Sequence, residues 1–314
     1  MQISRFLAAR QQGDAAVTGR VRRAGRIDLL PYALVSPTVI LVLLITIFPL
    51  VYAIRLSFTN ANLMELAEMK DVGLRNYTRA FEDPLFVGSI WRTLRYAFVV
   101  AVGQMLMALP LALFLNQPFR GRAIVRASIL LPWVVPGAVI AIIWRFLVDA
   151  NYGIVNDLLM RLGLISAPMA WFGEQRWAFW LIVSASYWAS TPFVALTLLA
   201  ALQSIPPELY EAAKVDGASA LVRFRFVTFP MLLPTILLLF LLRTISLAHG
   251  VEFIFLMTMG GPGYSNYTLA VYTYLLLGRL EIGYPAAIAV MLGIVLIVMS
   301  AIYVRLMERS KEWM

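Results

Sequence analysis

Six stretches of the 314-residue chain, 32–54, 93–115, 129–148, 177–202, 234–257 and 284–306, are apolar over about twenty residues or more. At 1.5 Å of rise per residue, a helix of each length crosses the roughly 30 Å of a bilayer's hydrocarbon. Hydrocarbon offers no partner to a backbone N–H or C=O, so such stretches must close their hydrogen bonds within themselves, as helices. The expected fold class is therefore all-α, a polytopic membrane protein with six transmembrane helices. Composition agrees, with 61% hydrophobic and 14% charged residues where soluble domains have about 45–50% and about 25%. Three parts follow: a basic tail over 1–30, a six-helix domain over 31–308 and a short tail over 309–314. Pro49 should bend the first span near its end without preventing insertion.

Six spans put both termini on one side. Fifteen of the 26 Lys and Arg fall on that side, six of them in the tail, against ten on the other. The positive-inside rule makes the termini cytosolic, and the tail has no apolar run that would serve as a signal-peptide core. Trp91, Trp133, Trp171, Trp177 and Tyr284 lie near span ends, where an aromatic belt belongs. Two outer segments, about 55–92 and 149–176, are long enough either to contact a partner or to form short interfacial helices over the bundle.

Much chemistry is excluded. There is no Cys and a single His, His249, so no thiolate nucleophile and no zinc site of Cys and His clusters is expected, and no metal or cofactor. None of the lysines (Lys70, Lys214, Lys311) follows a Gly, so no GxxxxGK[ST] loop for ATP phosphates exists. With no convergent acid–base constellation either, the chain is expected not to be an enzyme. A net charge of +9 could suit nucleic acid, but on so apolar a chain it reads as basic loops facing cytosol and anionic membrane lipid.

The most informative polar segment lies between the fourth and fifth spans, 203–234. Ser204 can cap a helix, Pro206 and Pro207 suit its first turn, Glu208 sits at the positive end of its dipole and Gly217 supplies a left-handed stop. The resulting helix, Glu208 to Asp216, has Leu209, Ala212, Ala213 and Asp216 on one face at i, i+3, i+4 and i+7. That face is small enough for another protein's groove, with Glu208 and Glu211 on its flank. A second helix should run from Ser219 back toward the membrane and stop before Pro230.

Glu211-Ala212-Ala213, Gly217 and Pro230 match in type and spacing the cytosolic signature of the permease subunits of binding-protein-dependent ABC importers: EAA, three residues, Gly, nine residues, then Ile-x-Leu-Pro. Val227 and Phe229 depart from the preferred Ile and Leu while staying apolar. The resemblance covers about 30–308, and 52–59, 72–77, 119–122, 131–136 and 260–263 are similar to the carbohydrate branch, first-permease type, as in maltose and glycerol-3-phosphate systems. It implies a bacterial inner-membrane subunit in a heterodimer with a second permease, an ATPase dimer and an extracytoplasmic solute-binding protein. It also implies that the helix 208–216 is a coupling helix docking on the ATPase, with Glu208, Glu211, Ala212, Ala213, Asp216 and Gly217 as its contact set.

Polar residues inside the spans are costly in lipid and so are candidates for the solute path. Ser184, Tyr187, Trp188 and Thr191 form one stripe on the fourth span, suited to a sugar by stacking and hydroxyl hydrogen bonds or to helix packing. Gln104 in the second span is a further candidate. In the fifth span Arg243 and Glu252 lie about 13 Å apart along the helix axis on opposite faces, while His249 and Glu252 can meet. These three could tune the substrate, form a structural ion pair, or serve as the relay of a proton-coupled secondary transporter, the rival reading; no internal repeat supports the last. Disaccharide, oligosaccharide, polyol and glycerol phosphate all stay open as solutes.

Overall fold

The computed structural model describes residues 30–65 and 68–311, without the side chains of 309–311. The expected tail over 1–30 lies outside the described residues except for Leu30, and so do 312–314 of the expected C-terminal tail. The chain divides into two units, 1–52 and 53–314. The described part of the first is most of α1, Leu30–Leu56, a continuous helix through Pro37 and Pro49.

In the second unit, Asn76 on α2 (Arg75–Glu82) donates to the carbonyls of Ser57 and Thr59 at 2.9 and 2.8 Å, tying α2 to the chain just after α1. The span helix α3, Pro84–Asn116, begins nine residues before the apolar stretch at 93, because Asp83 caps it through the Leu85 N–H at 2.8 Å and Pro84 suits its first turn. It ends at Gln117, held extended by Pro118.

The third apolar stretch is not one straight helix. It divides into α4, Arg122–Val134, and α5, Gly137–Leu147, bent by 89° at Val135-Pro136. The residue before a proline is pushed to extended backbone, and Val135 has ψ 130°. Among the described residues, five helices are thus long and apolar enough to span a membrane, six if the bent pair is one span.

The segment 149–176, expected to lie outside, is built rather than loose: α6 covers Ile154–Arg161 and a 3-10 turn covers Trp171–Gly173. The fourth span, α7, runs Gln175–Gln203 through Pro192. The loop helix α8, Pro207–Val215, follows, then α9, Ala220–Arg223. The return helix does not stop before Pro230. One π turn, Phe224–Thr228, leads straight into α10, Phe229–His249, at the point where the Pro230 ring would meet the Phe226 carbonyl of a regular helix. The fifth span ends at His249 and not at 257, since Gly250 is extended, and Glu252 opens a separate helix, α11, Glu252–Thr258. After α12, Leu269–Leu277, the last span α13 covers Gly283–Lys311, three residues into the expected tail.

The core of the second unit centres on α3 against α7, with α10 beside both. Buried Ala97 and Ala101 on α3 share a cluster with Ala185 of α7, and Ala108 and Ala112 share one with Ala195, small residues that let the helices approach closely. A third cluster joins Phe86 to α12 and α13 through Leu269, Leu276, Tyr284 and Ile288.

Candidate functional site

Two groups of candidate residues are arranged very differently. The first is α8. Its stop is a complete Schellman motif: Gly217 is left-handed at φ +77°, its N–H donates to the Lys214 carbonyl at 3.0 Å, and the Ala218 N–H donates to the Ala213 carbonyl at 2.9 Å. The start differs from expectation. Ser204 does not cap α8; its hydroxyl turns back to the Ala201 carbonyl at 2.8 Å and finishes α7, so α8 relies on Pro206 and Pro207 for its first turn. Buried Ile205 joins the core cluster between α3, α7 and α10. Tyr210, turned toward the return helix, shares a hydrogen bond with the Thr228 hydroxyl at 3.1 Å, and Arg223 donates to the Ala218 carbonyl at 2.7 Å. These anchors escaped the sequence reading, although Tyr210 is the one aromatic in the helix. With α8 held on one side, Glu208, Leu209, Glu211, Ala212 and Asp216 are all exposed on the other, and Ala213 is half-buried. Exposed Leu221 and Phe226 extend this surface across an open cleft lined by Ala213, Gly217, Val222 and Arg223.

The second group lies within the spans. Gln104 is fully buried; its Nε2 donates to the Ser186 carbonyl at 3.1 Å, and its Oε1 accepts from Arg243 Nε at 2.9 Å. One amide thereby links α3, α7 and α10. Tyr96 joins the Ser186 hydroxyl at 2.8 Å beside it. Tyr187 donates to the Val99 carbonyl at 2.9 Å, a reach possible because Gly103 has no Cβ to occupy the place of the phenol.

The remaining candidates do not converge on this link. Trp188 is exposed, and Thr191 is buried with no partner for its hydroxyl among the described residues. His249 Nδ1 is 2.7 Å from the Ile245 carbonyl. The break at Gly250 removes the helical spacing that related Glu252 to Arg243 and His249, and among the described residues no ion pair joins the three. Glu252 instead sets its carboxylate against Gly137, at the start of α5. At the far end of the same two helices Arg145 donates to the Leu256 carbonyl at 3.2 Å. The half-helices α5 and α11 therefore run parallel, each starting at a break in its span.

Comparison with known proteins gives a consistent picture. A family model described as a binding-protein-dependent transport system inner membrane component matches residues 104–312. The chain is 36% identical to the sulfoquinovosyl glycerol transport system permease protein SmoG of Agrobacterium fabrum over 90% of this chain and 92% of that one. It is 35% identical to the trehalose/maltose transport system permease protein MalF of Thermococcus litoralis over 88% and 92%. Among solved structures, a bacterial ABC transporter involved in import of the acidic polysaccharide alginate superposes with a TM-score of 0.78 at 25% identity, over 90% of this chain and 96% of that one.

Proposed function

The chain belongs to the family of inner-membrane components of binding-protein-dependent transport systems, and we propose that it is the first of two permease subunits in an ATP-driven importer for a sugar or related solute. The observation that carries the coupling is α8. It is anchored by Tyr210 and Ile205 and stopped by Gly217, while Glu208, Glu211, Ala212 and Asp216 face away from the chain. In this reading that surface, with partly covered Ala213, docks on an ATPase dimer. Closure of the dimer moves α8, and the motion passes through α9, the π turn and α10 to change access from inward to outward.

The partners are a second permease, the ATPase dimer and a solute-binding protein outside, with both termini in the cytosol. A sugar is supported by the relatives, named for sulfoquinovosyl glycerol and for trehalose/maltose transport, and by the neighbour that imports alginate. Along the solute path Trp188, His249 and Glu252 are exposed and free to meet solute. Gln104, Tyr187 and Arg243 hold the wall behind them, and the Thr191 hydroxyl is left for a solute or water. Hydrolysis of ATP belongs to the partner.

The test is uptake into vesicles carrying the full complex, with maltose, trehalose, sulfoquinovosyl glycerol and an alginate pentasaccharide as the panel. Uptake of at least one that needs ATP and the binding protein is expected. Uptake by this chain alone, driven by a proton gradient, would mean instead that Arg243, His249 and Glu252 act as a relay.

A further inference from the structure

At the end of α5 farthest from α8, about 40 Å away along the 29 residues of α7, lies a cavity of about 470 Å³. Its walls are the flat rings of Phe146, Tyr152, Trp171 and Phe172, and its charged groups are Arg145 and Asp149. Of these residues the sequence singled out only Trp171, as an aromatic near a span end, and none lies in the intramembrane polar group described above.

The two rims of this cavity are held by one buried side chain. Asn156, on α6, donates from Nδ2 to the carbonyls of Asp149 (3.2 Å) and Met169 (3.1 Å). Its Oδ1 accepts from the Met169 N–H at 3.2 Å and from Trp171 Nε1 at 2.8 Å. A buried amide satisfied on both atoms fixes the 149–150 rim against the 169–171 rim, so the cavity exists before anything enters it. Gly153 completes the turn, where any Cβ would run into the Asp149 backbone.

The polar groups retain spare capacity. Arg145 gives one of a guanidinium's five donors to the Leu256 carbonyl. Asp149 uses Oδ1 on the N–H groups of Asn151 and Tyr152, and among the described residues Oδ2 accepts nothing. No ion pair joins Arg145 to Asp149. A preformed cavity with aromatic faces, a free carboxylate oxygen, free guanidinium donors and no net charge suits a neutral pyranose, whose apolar face stacks while its hydroxyls donate and accept.

We propose that this outer cavity is a carbohydrate subsite separate from the intramembrane path, receiving the sugar before it enters the spans. The assignment rests on the sugar reading given above.

The test uses the complete transporter in nanodiscs without binding protein, titrating each panel sugar against intrinsic tryptophan fluorescence. A sugar that the vesicles carry should give a saturable change that is lost in Trp171→Phe. Its half-saturating concentration should rise about fivefold or more in Tyr152→Ala and in Asp149→Asn, which keeps the Oδ1 acceptor of the turn. Leu162→Ala, exposed just after α6 and outside the cavity lining, should match wild type. Absence of a saturable change for a carried sugar overturns the subsite, as does a change indifferent to Tyr152 and Asp149. If the pocket variants bind sugar normally but need more binding protein for uptake, the cavity holds a protein side chain and the proposal fails. Vesicles that carry no panel sugar overturn the sugar reading first, and the subsite with it.

Discussion

Gln104 spends both ends of its amide between helices, accepting from Arg243 Nε at 2.9 Å and donating to the Ser186 carbonyl at 3.1 Å. The guanidinium thus has a neutral partner, and 139 residues of sequence separate the two. Gln104→Leu removes both bonds and leaves Arg243 without its acceptor. We expect a loss of about 2–3 kcal/mol, since hydrogen bonds to charged groups contribute about 1.5–3 kcal/mol. Gln104→Glu, which keeps an acceptor facing Arg243, should lose less. Thermal unfolding of the purified complex compares the two.

Gly103 and Tyr187 form a steric pair: a methyl at Gly103 overlaps the phenol that reaches the Val99 carbonyl. Gly103→Ala should destabilise by about 1–3 kcal/mol, the usual cost of overpacking. Tyr187→Ala should make the second substitution nearly neutral, so a double-mutant cycle with strong positive coupling is the expected result.

Asp83, just before the first turn of α3, gathers α3, α12 and α13. Its Oδ2 accepts from the hydroxyls of Tyr272 and Tyr284, and its Oδ1 from the Leu85 N–H. Burial alone would raise its pKa, but these hydrogen bonds outweigh burial and hold the carboxyl below its ordinary 3.8. A depressed folded pKa contributes stability that is fully present above the unfolded value and is lost as pH falls through the folded one. Asp83→Asn should therefore melt lower than wild type at pH 6–8 by a constant margin, and the margin should shrink only below about pH 4. A margin that shrinks near neutral pH would contradict this assignment.

Gly217 is left-handed with open space around the position of a Cβ, so substitution there strains the backbone without a clash. Gly217→Ala should cost about 1 kcal/mol or slightly more, concentrated in the stop of α8. Amide exchange of Lys214–Ala218 should quicken in the variant while α7 and α10 stay protected.

The long spans were legible because hydropathy over twenty residues outweighs local detail, and α8 because Pro207 and Gly217 mark its ends. The same averaging concealed the breaks at Val135-Pro136 and Gly250, where a single residue's backbone turns a helix inside an unbroken apolar run. The Ser204 hydroxyl could accept from an N–H at the start of α8 or donate to a carbonyl at the end of α7, and the α7 carbonyl won. The pairing of Gln104 with Arg243 and the five hydrogen bonds of Asn156 depend on which helices become neighbours, and no periodicity within one segment carries that information.

The central claim is that α8 transmits ATPase closure to this chain. Affinity purification of the complex in mild detergent, with wild type beside Glu211→Ala and Gly217→Pro, tests it directly. An ATPase and a second permease should copurify with wild type, and the ATPase should be lost from both variants while the second permease stays. An ATPase retained at wild-type levels by both variants, or a chain that purifies alone and still transports, would contradict it.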